Sequence, residues 1–368
     1  MPRWVAGLRQ LGDRRSDRPG VFLWEPVEVP PSDSVALHHQ ALVVDLHVHA
    51  PDFLPTYARR VYRSTRPGRP RLTGFEVLRA AGVDVAVASA VGDPIVTRWY
   101  LRHDGWQAVE AQLDSIERDA ADHGVGLARG VDEMVQAGER DQPVVVLGVE
   151  GADAIGEDLD RIDAWSERGV RLVTLVHLTD NQFATTCLPW QHYTGPIPVR
   201  RRAEPGLSPL GREVVGRMQQ VGILVDLAHA DGATLRDVVE MAEAPVVSSH
   251  SGARAVRDFP RYHTDEELRA IAGTGGVVGL WPYRGVGKGV RDVDDLMAHA
   301  RHVAEVIGPE HLCLGTDMNG VSGLMDGYRG EVDLPVVTTA LLDVGFTDDE
   351  VRGVLGANAL RVLRVAER

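Results

Sequence analysis

Residues 41–49 run Ala-Leu-Val-Val-Asp-Leu-His-Val-His, an apolar stretch with no turn former that stops at two imidazoles followed by Ala50-Pro51. On a strand, positions two apart share a face, so His47 and His49 bring their rings within a few Å of each other. The pattern recurs along the chain. Glu150, His177, His229, His250 and Asp317 each close another short apolar run, so five of the fourteen histidines end such runs and two carboxylates join them. Neutral imidazoles ringed with carboxylates are the donor set of a borderline divalent cation such as Zn²⁺. The donors number more than four, which points to two metals with Glu150 as the bridging carboxylate. Two ions about 3.5–4 Å apart hold a hydroxide between them and polarise a carbonyl. The matching chemistry is hydrolysis of an amide, lactone or related bond.

Side chains this far apart in sequence need a scaffold that gathers strand ends. Short apolar runs at 41–49, 83–89, 144–150, 170–177, 222–229, 245–250, 276–281 and 311–317 alternate with amphipathic segments at 107–123, 158–168, 209–221, 233–243, 264–272 and 293–307. Eight such runs, each followed by a helix-length connection, predict a single (β/α)8 TIM barrel with its site at the carboxyl ends of the strands. Ser208 before Pro209, and Thr264 before Asp265-Glu266-Glu267, read as helix N-caps. The region 334–368, with Thr347 capping a last helix, closes the outer ring. Residues 1–40 read as an N-terminal arm packed on the barrel of residues 41–368. The connections 50–73 and 178–207 exceed minimal loops and are expected to wall the site.

Composition narrows the partners. The chain has 368 residues, 44% hydrophobic and 25% charged, with a net charge of −14, which argues against nucleic acid or an anionic membrane as the main partner. Arg200-Arg201-Arg202 is too short to bind a polyanion alone. No window reads as a spanning helix or a secretory leader, and Cys187 and Cys313 lack the spacing of a thiolate zinc site. The expectation is a cytoplasmic protein acting on a small molecule.

Several motifs, taken together in order and spacing, resemble the membrane (renal) dipeptidase family of zinc dipeptidases in the amidohydrolase superfamily. They are Asp45-Leu-His-Val-His-Ala-Pro51, Gly148-Val-Glu-Gly151, the run from Gly169 to His177, Gly206-Leu-Ser-Pro-Leu-Gly211, Asp226-Leu-Ala-His229, Ser248-Ser-His-Ser-Gly-Ala-Arg-Ala-Val256, Pro260-Arg261 and Gly315-Thr-Asp-Met-Asn-Gly320. The resemblance implies two Zn²⁺ per chain bridged by Glu150, the first also held by His47 and His49, the second by His229 and His250. It implies that His177 helps polarise the scissile carbonyl, that Arg261 holds the substrate's terminal carboxylate, and that Asp317 shuttles the proton. Tyr283 is carried over as a substrate-side residue, and a homodimer is the family's usual state. The implied substrate is a dipeptide or dipeptide-like amide.

This chain departs from that family in two places. His49 stands where the family has Asp, and Met318-Asn319-Gly320 replaces an aromatic and a second Asp before Gly. These departures motivate an alternative with the same metal centre: an amidohydrolase acting on a lactam, a lactone or an N-acyl specialised metabolite. Asp45-Leu-His-Val-His49 alone also looks like the opening of histidinol-phosphatase-type phosphoesterases, which Glu150 and Asp226-Leu-Ala-His229 fit poorly. His299 and His302 are read as helix-packing residues, His192 as a solvent-facing loop residue, and Trp99, Tyr100 and Trp106 as a packed helical face.

Overall fold

A period of two fixes the sheet. In the run Val-Ala-Val-Ala-Ser-Ala-Val every residue is buried, with Val85 and Val87 in one apolar cluster and Ala86, Ala88 and Ala90 in another. The computed structural model describes residues 32–57, 72–100, 104–194, 199, 201–285 and 287–367. It contains strands β1 (Val44–Val48), β2 (Val85–Val91), β3 (Gly126–Leu127), β4 (Val144–Glu150), β5 (Val170–Thr174), β6 (Leu224–Asp226), β7 (Val247–Ser251), β8 (Val277–Leu280) and β9 (Leu312–Leu314). All pairings between them are parallel. β2 pairs with both β1 and β4, and β1 pairs with β9, so eight strands close into a barrel. The two-residue β3 pairs only with the start of β4 and lies outside the ring.

The expected (β/α)8 barrel is therefore present, with helices returning the chain between strands. Ser208 accepts from the Gly211 amide, and Thr264 forms a reciprocal capping box with Glu267. Inside the barrel, Val85, Val146, Leu172, Leu224, Val277 and Cys313 pack as an inner cluster, which Val362 and Leu363 of the last helix join. The first thirty-one residues of the expected arm lie outside the described residues. The helix Ser32–Gln40 packs on the barrel, where His38 bonds Thr338 Oγ1 at 2.7 Å and the Ala81 carbonyl at 2.9 Å. Much of the loop 50–73, and residues 195–198 and 200 of the second long loop, also lie outside the described residues. Among the described residues no helix is long and apolar enough to cross a membrane.

Three strands stop three residues short of the carboxyl ends of their apolar runs. β5, β6 and β9 end at Thr174, Asp226 and Leu314, so His177, His229 and Asp317 each stand three residues beyond a strand. Side chains take over the hydrogen bonds that the ladder gives up. Asp226 Oδ1 accepts from the Ala228 and Ser249 amides at 3.1 and 2.8 Å, and its Oδ2 accepts from Thr174 and Ser249 hydroxyls at 2.6 and 2.7 Å. Asp45 does the same on the opposite side, accepting from the His47 and Thr316 amides at 3.1 and 3.0 Å.

The backbone of β7 is crowded by its neighbours. A Cβ at Gly279 or Gly315 would stand 1.8 or 1.7 Å from the Ser249 carbonyl oxygen, one residue from His250. Neither clash is relieved by moving a side chain. Gly315→Ala is expected to destabilise the fold by at least the upper part of the roughly 1–3 kcal/mol range for overpacking, read as a lowered urea midpoint.

A second prediction comes from Glu331, which is 4% exposed behind β1. The Thr316 hydroxyl lies 2.5 Å from Asp45 Oδ2 and 3.0 Å from Glu331 Oε1, yet it has one hydrogen to give. With that hydrogen on Asp45, Glu331 must donate, and burial accordingly raises its carboxyl to about 8. The native state thus keeps a proton that the unfolded chain releases near 4.5. The contribution to stability is full below 4.5 and lost as pH rises to about 8. Between those values Glu331→Gln should remove a stability slope of at most about 1.4 kcal/mol per pH unit, measured by urea unfolding at pH 5, 7 and 9.

Candidate metal centre

Glu150 ends β4 and is buried in the barrel mouth, and five imidazoles converge on its carboxylate. Its Oε1 lies 3.3 Å from His47 Nε2, 3.1 Å from His229 Nε2 and 3.6 Å from His250 Nε2. Its Oε2 lies 3.4 Å from both His49 Nε2 and His177 Nε2. The rings come from β1, from β7 and from the turns after β1, β5 and β6, so closure of the sheet is what brings them together. All seven residues expected at the strand ends share this volume, since Asp317 Oδ1 stands 3.4 Å from His49 Nε2.

The donor spacing tests whether a cation fits. His47 and His49 face each other Nε2 to Nε2 at 3.3 Å, and His229 and His250 at 3.2 Å. Two nitrogens bound to one tetrahedral Zn²⁺ at about 2.0–2.1 Å stand about 3.3 Å apart. Lone pairs at that separation repel unless a proton or a cation stands between them. His47, His49 and Glu150 form one convergent group of possible ligand atoms, and Glu150, His177 and His229 form another. Both groups are buried, and the residues present fit a divalent pair.

Electrostatics set the protonation states. Burial would raise the Glu150 carboxyl, but the adjacent His177 and His47 hold it well below its ordinary value. Burial, Arg261 and neighbouring rings keep His229 and His250 well below theirs. A neutral imidazole is the form that binds a cation. His49 and His177 go the other way: against the effect of burial, Asp317 and Glu150 push His49 up to about 10, and Glu150 and Asp93 raise His177. The proton that His49 holds lies where an ion would compensate the same two carboxylates.

Other backbone and side-chain atoms aim the rings. His49 Nδ1 bonds the Ser89 carbonyl at 2.9 Å, and His250 Nδ1 bonds Ser249 Oγ at 2.8 Å. Asp317 has a left-handed backbone, φ 56°, a conformation uncommon for a residue with a side chain, and its amide donates to the His47 carbonyl at 2.9 Å. Asn319 Nδ2 donates to the His49 and Thr73 carbonyls at 2.7 and 2.8 Å, tying the end of the first long loop to the metal-binding turn.

Arg261 is 1% exposed, with its guanidinium 4.5 Å from the Trp281 ring centroid. Its Nη2 lies 2.9 Å from His229 Nε2, and Nη1 donates to the Ala228 carbonyl. Tyr283 is one ring further out: it stacks on Trp281 at 4.4 Å and its hydroxyl lies 3.2 Å from Ser322 Oγ. Trp281 itself, 5.2 Å from the His250 ring, borders the site, as does Phe53, 5.6 Å from the His49 ring.

His299 and His302 serve packing, as the sequence suggests. His299 Nδ1 accepts from the Ala253 amide at 2.9 Å, His302 bonds Asp265 at 2.7 Å, and His192 is exposed. Trp106 stacks on Trp165 at 5.3 Å. Asp93 was not singled out by the sequence reading, although its Oδ2 lies 2.5 Å from His177 Nδ1. The signal available for it was Gly92-Asp93-Pro94, an N-cap before a proline at the end of the second strand.

Comparison with known proteins agrees with this geometry. A fission yeast protein (Schizosaccharomyces pombe) described as an uncharacterized dipeptidase is 32% identical over 61% of this chain and 53% of its own length. Dipeptidase verJ of Clonostachys rogersoniana is 29% identical over 72% of this chain and 67% of its own. The chain therefore spans between about half and two thirds of these relatives. The crystal structure of the probable dipeptidase PvdM of Pseudomonas aeruginosa superposes with a TM-score of 0.77, covering 91% of this chain and 98% of that one at 20% identity, and shares the fold. The family model of the membrane dipeptidases, peptidase family M19, matches residues 32–368, and the chain belongs to that family.

Proposed function

We propose that this protein is a binuclear metal-dependent hydrolase that cleaves dipeptides or dipeptide-like amides. The observation that carries the reading is the convergence of two imidazole pairs, each at the spacing of a shared ligand, on one buried carboxylate. In this reading His47, His49 and Glu150 hold one Zn²⁺, and Glu150, His229 and His250 hold the other. The ions supply Lewis acidity to a water and to the scissile carbonyl.

The chain's own groups do the rest. Asp317, beside His49, takes the proton from the attacking water and returns it to the leaving amine. His177 Nε2, facing Glu150, lies beside the scissile carbonyl. Arg261 presents a guanidinium fork suited to a terminal carboxylate. Its contact with His229 Nε2 uses the lone pair that a cation would take, so with an ion held there that N–H would be free for the substrate. Trp281 holds the plane of the guanidinium from behind.

His49 also motivates a second reading. A neutral ligand in place of a carboxylate leaves the ion pair less compensated, which suits cyclic amides, lactones or N-acyl groups equally well. A panel of L,L- and L,D-dipeptides beside lactams, lactones and N-acyl amino acids separates the two. The dipeptide reading expects turnover of dipeptides, loss with a chelator, recovery with Zn²⁺, and close to two equivalents of metal by mass spectrometry. Failure on every dipeptide with turnover of a cyclic amide or ester would favour the second.

Two substitutions test the roles. Asp317→Asn should keep the metal content and lower kcat by about 10²–10⁴-fold, the usual worth of a positioned proton-transfer group. Arg261→Ala should lower kcat/KM by about 10–100-fold on substrates with a free carboxylate, and far less on esterified ones, as expected for a charged hydrogen bond.

A further inference from the structure

We infer that Asp93 is a positioning residue for His177: it fixes the ring's orientation and keeps a hydrogen on Nδ1, so that Nε2 is the atom presented to the site. The inference rests on the role given to His177 above and adds a residue to that machinery.

The two oxygens of Asp93 are divided between separate tasks. Oδ1 accepts from the Ile95 and Val96 amides at 2.6 and 3.2 Å, capping the short helix Pro94–Thr97. Oδ2 is turned the other way and meets His177 Nδ1 at 2.5 Å. Asp93 is 0% exposed, so no water competes for that oxygen. An ionised carboxylate only accepts, so the ring nitrogen facing it donates. The hydrogen on Nδ1 leaves Nε2, 3.4 Å from Glu150 Oε2, as the atom that faces the metal centre.

The backbone ties Asp93 to Glu150. The Gly92 amide donates to the Glu150 carbonyl at 2.8 Å, and a Cβ on Gly92 would stand 2.0 Å from the Gly151 carbonyl oxygen. The loop that carries Asp93 is thereby locked to the turn after β4, and Glu150, His177 and Asp93 keep one relative geometry. Helix capping alone does not require this arrangement, because Oδ1 satisfies both amides without Oδ2.

Asn and Asp cap helices about equally well. Asp93→Asn therefore keeps the cap through its oxygen, but it turns an amide N–H toward His177 Nδ1, which must then give up its hydrogen. Asp93→Ser keeps a capping oxygen and removes the contact, and it decides the matter should the Asn variant fold poorly. With the full-length protein labelled at histidine nitrogens, a ¹H–¹⁵N correlation spectrum, assigned by loss of the signal in His177→Ala, should show a hydrogen on His177 Nδ1 in the wild type and none on that atom in Asp93→Asn. On a dipeptide that the wild type cleaves, Asp93→Asn should lose about 10–100-fold in kcat/KM, with metal content and melting temperature unchanged. In a His177→Ala background the same substitution should have no further effect.

An Nδ1 without a hydrogen in the wild type, the same Nδ1 signal in both proteins, activity within about twofold, or an undiminished effect without His177 would each overturn the inference. Should the wild type cleave no compound in the panel, the functional reading falls, and the position of the ring hydrogen still decides this one.

Discussion

A buried carboxylate surrounded by imidazole nitrogens is held only if positive charge stands among them. Glu150 has five such nitrogens within 3.6 Å and almost no contact with water. Taking one carboxylate out of water carries a penalty of several kcal/mol, and crowding lone pairs around it adds to that. The two divalent cations of the proposed reading would turn the same crowding into attraction.

That demand explains the polar groups lower in the barrel. Parallel strands buried on both faces should be apolar, yet Asp45 and Asp226 sit fully buried one layer below the rings. Each fixes backbone next to a histidine: Asp45 holds the His47 and Thr316 amides, and Asp226 holds those of Ala228 and Ser249. Through the Ser249 hydroxyl, Asp226 also reaches His250 Nδ1. Rings placed this way lose little freedom when an ion binds. The close approach of Gly279 and Gly315 to the Ser249 carbonyl belongs to the same arrangement, because bulk there would move His250.

The barrel and seven of its mouth residues were legible because both signals are local. A buried parallel strand is a short apolar run, and a polar residue that ends one has to be explained. The exact strand ends were not legible, since His177, His229 and Asp317 lie on turns whose hydrogen bonds are completed by side chains from distant strands. β3 was missed because two residues carry no periodicity. Arg261 came only from the resemblance, as nothing in Pro260-Arg261 distinguishes a buried guanidinium from a surface one. Asp93 was overlooked because its partner lies 84 residues away, and only the closed sheet brings them together. Tyr283 was chosen as the site aromatic, but Trp281, two residues earlier, is the ring that touches Arg261.

His49 is the point at which this chain differs from its family's pattern in the ligand set itself. The change preserves the number of donors and removes one negative charge. Its ring is nevertheless flanked by carboxylates, with Glu150 and Asp317 both 3.4 Å from Nε2. Asp317 makes this approach from a left-handed backbone, φ 56°. A Cβ at Gly320 would stand 2.0 Å from Asp317 Oδ1 and 2.7 Å from His49 Cδ2, so the turn is closed tightly over this pair. The charge lost at position 49 is therefore faced from across the site by Asp317 at hydrogen-bonding range. In the proposed reading the substitution would therefore bear on the proton-transfer residue as well as on the first metal site, because the two meet at 3.4 Å.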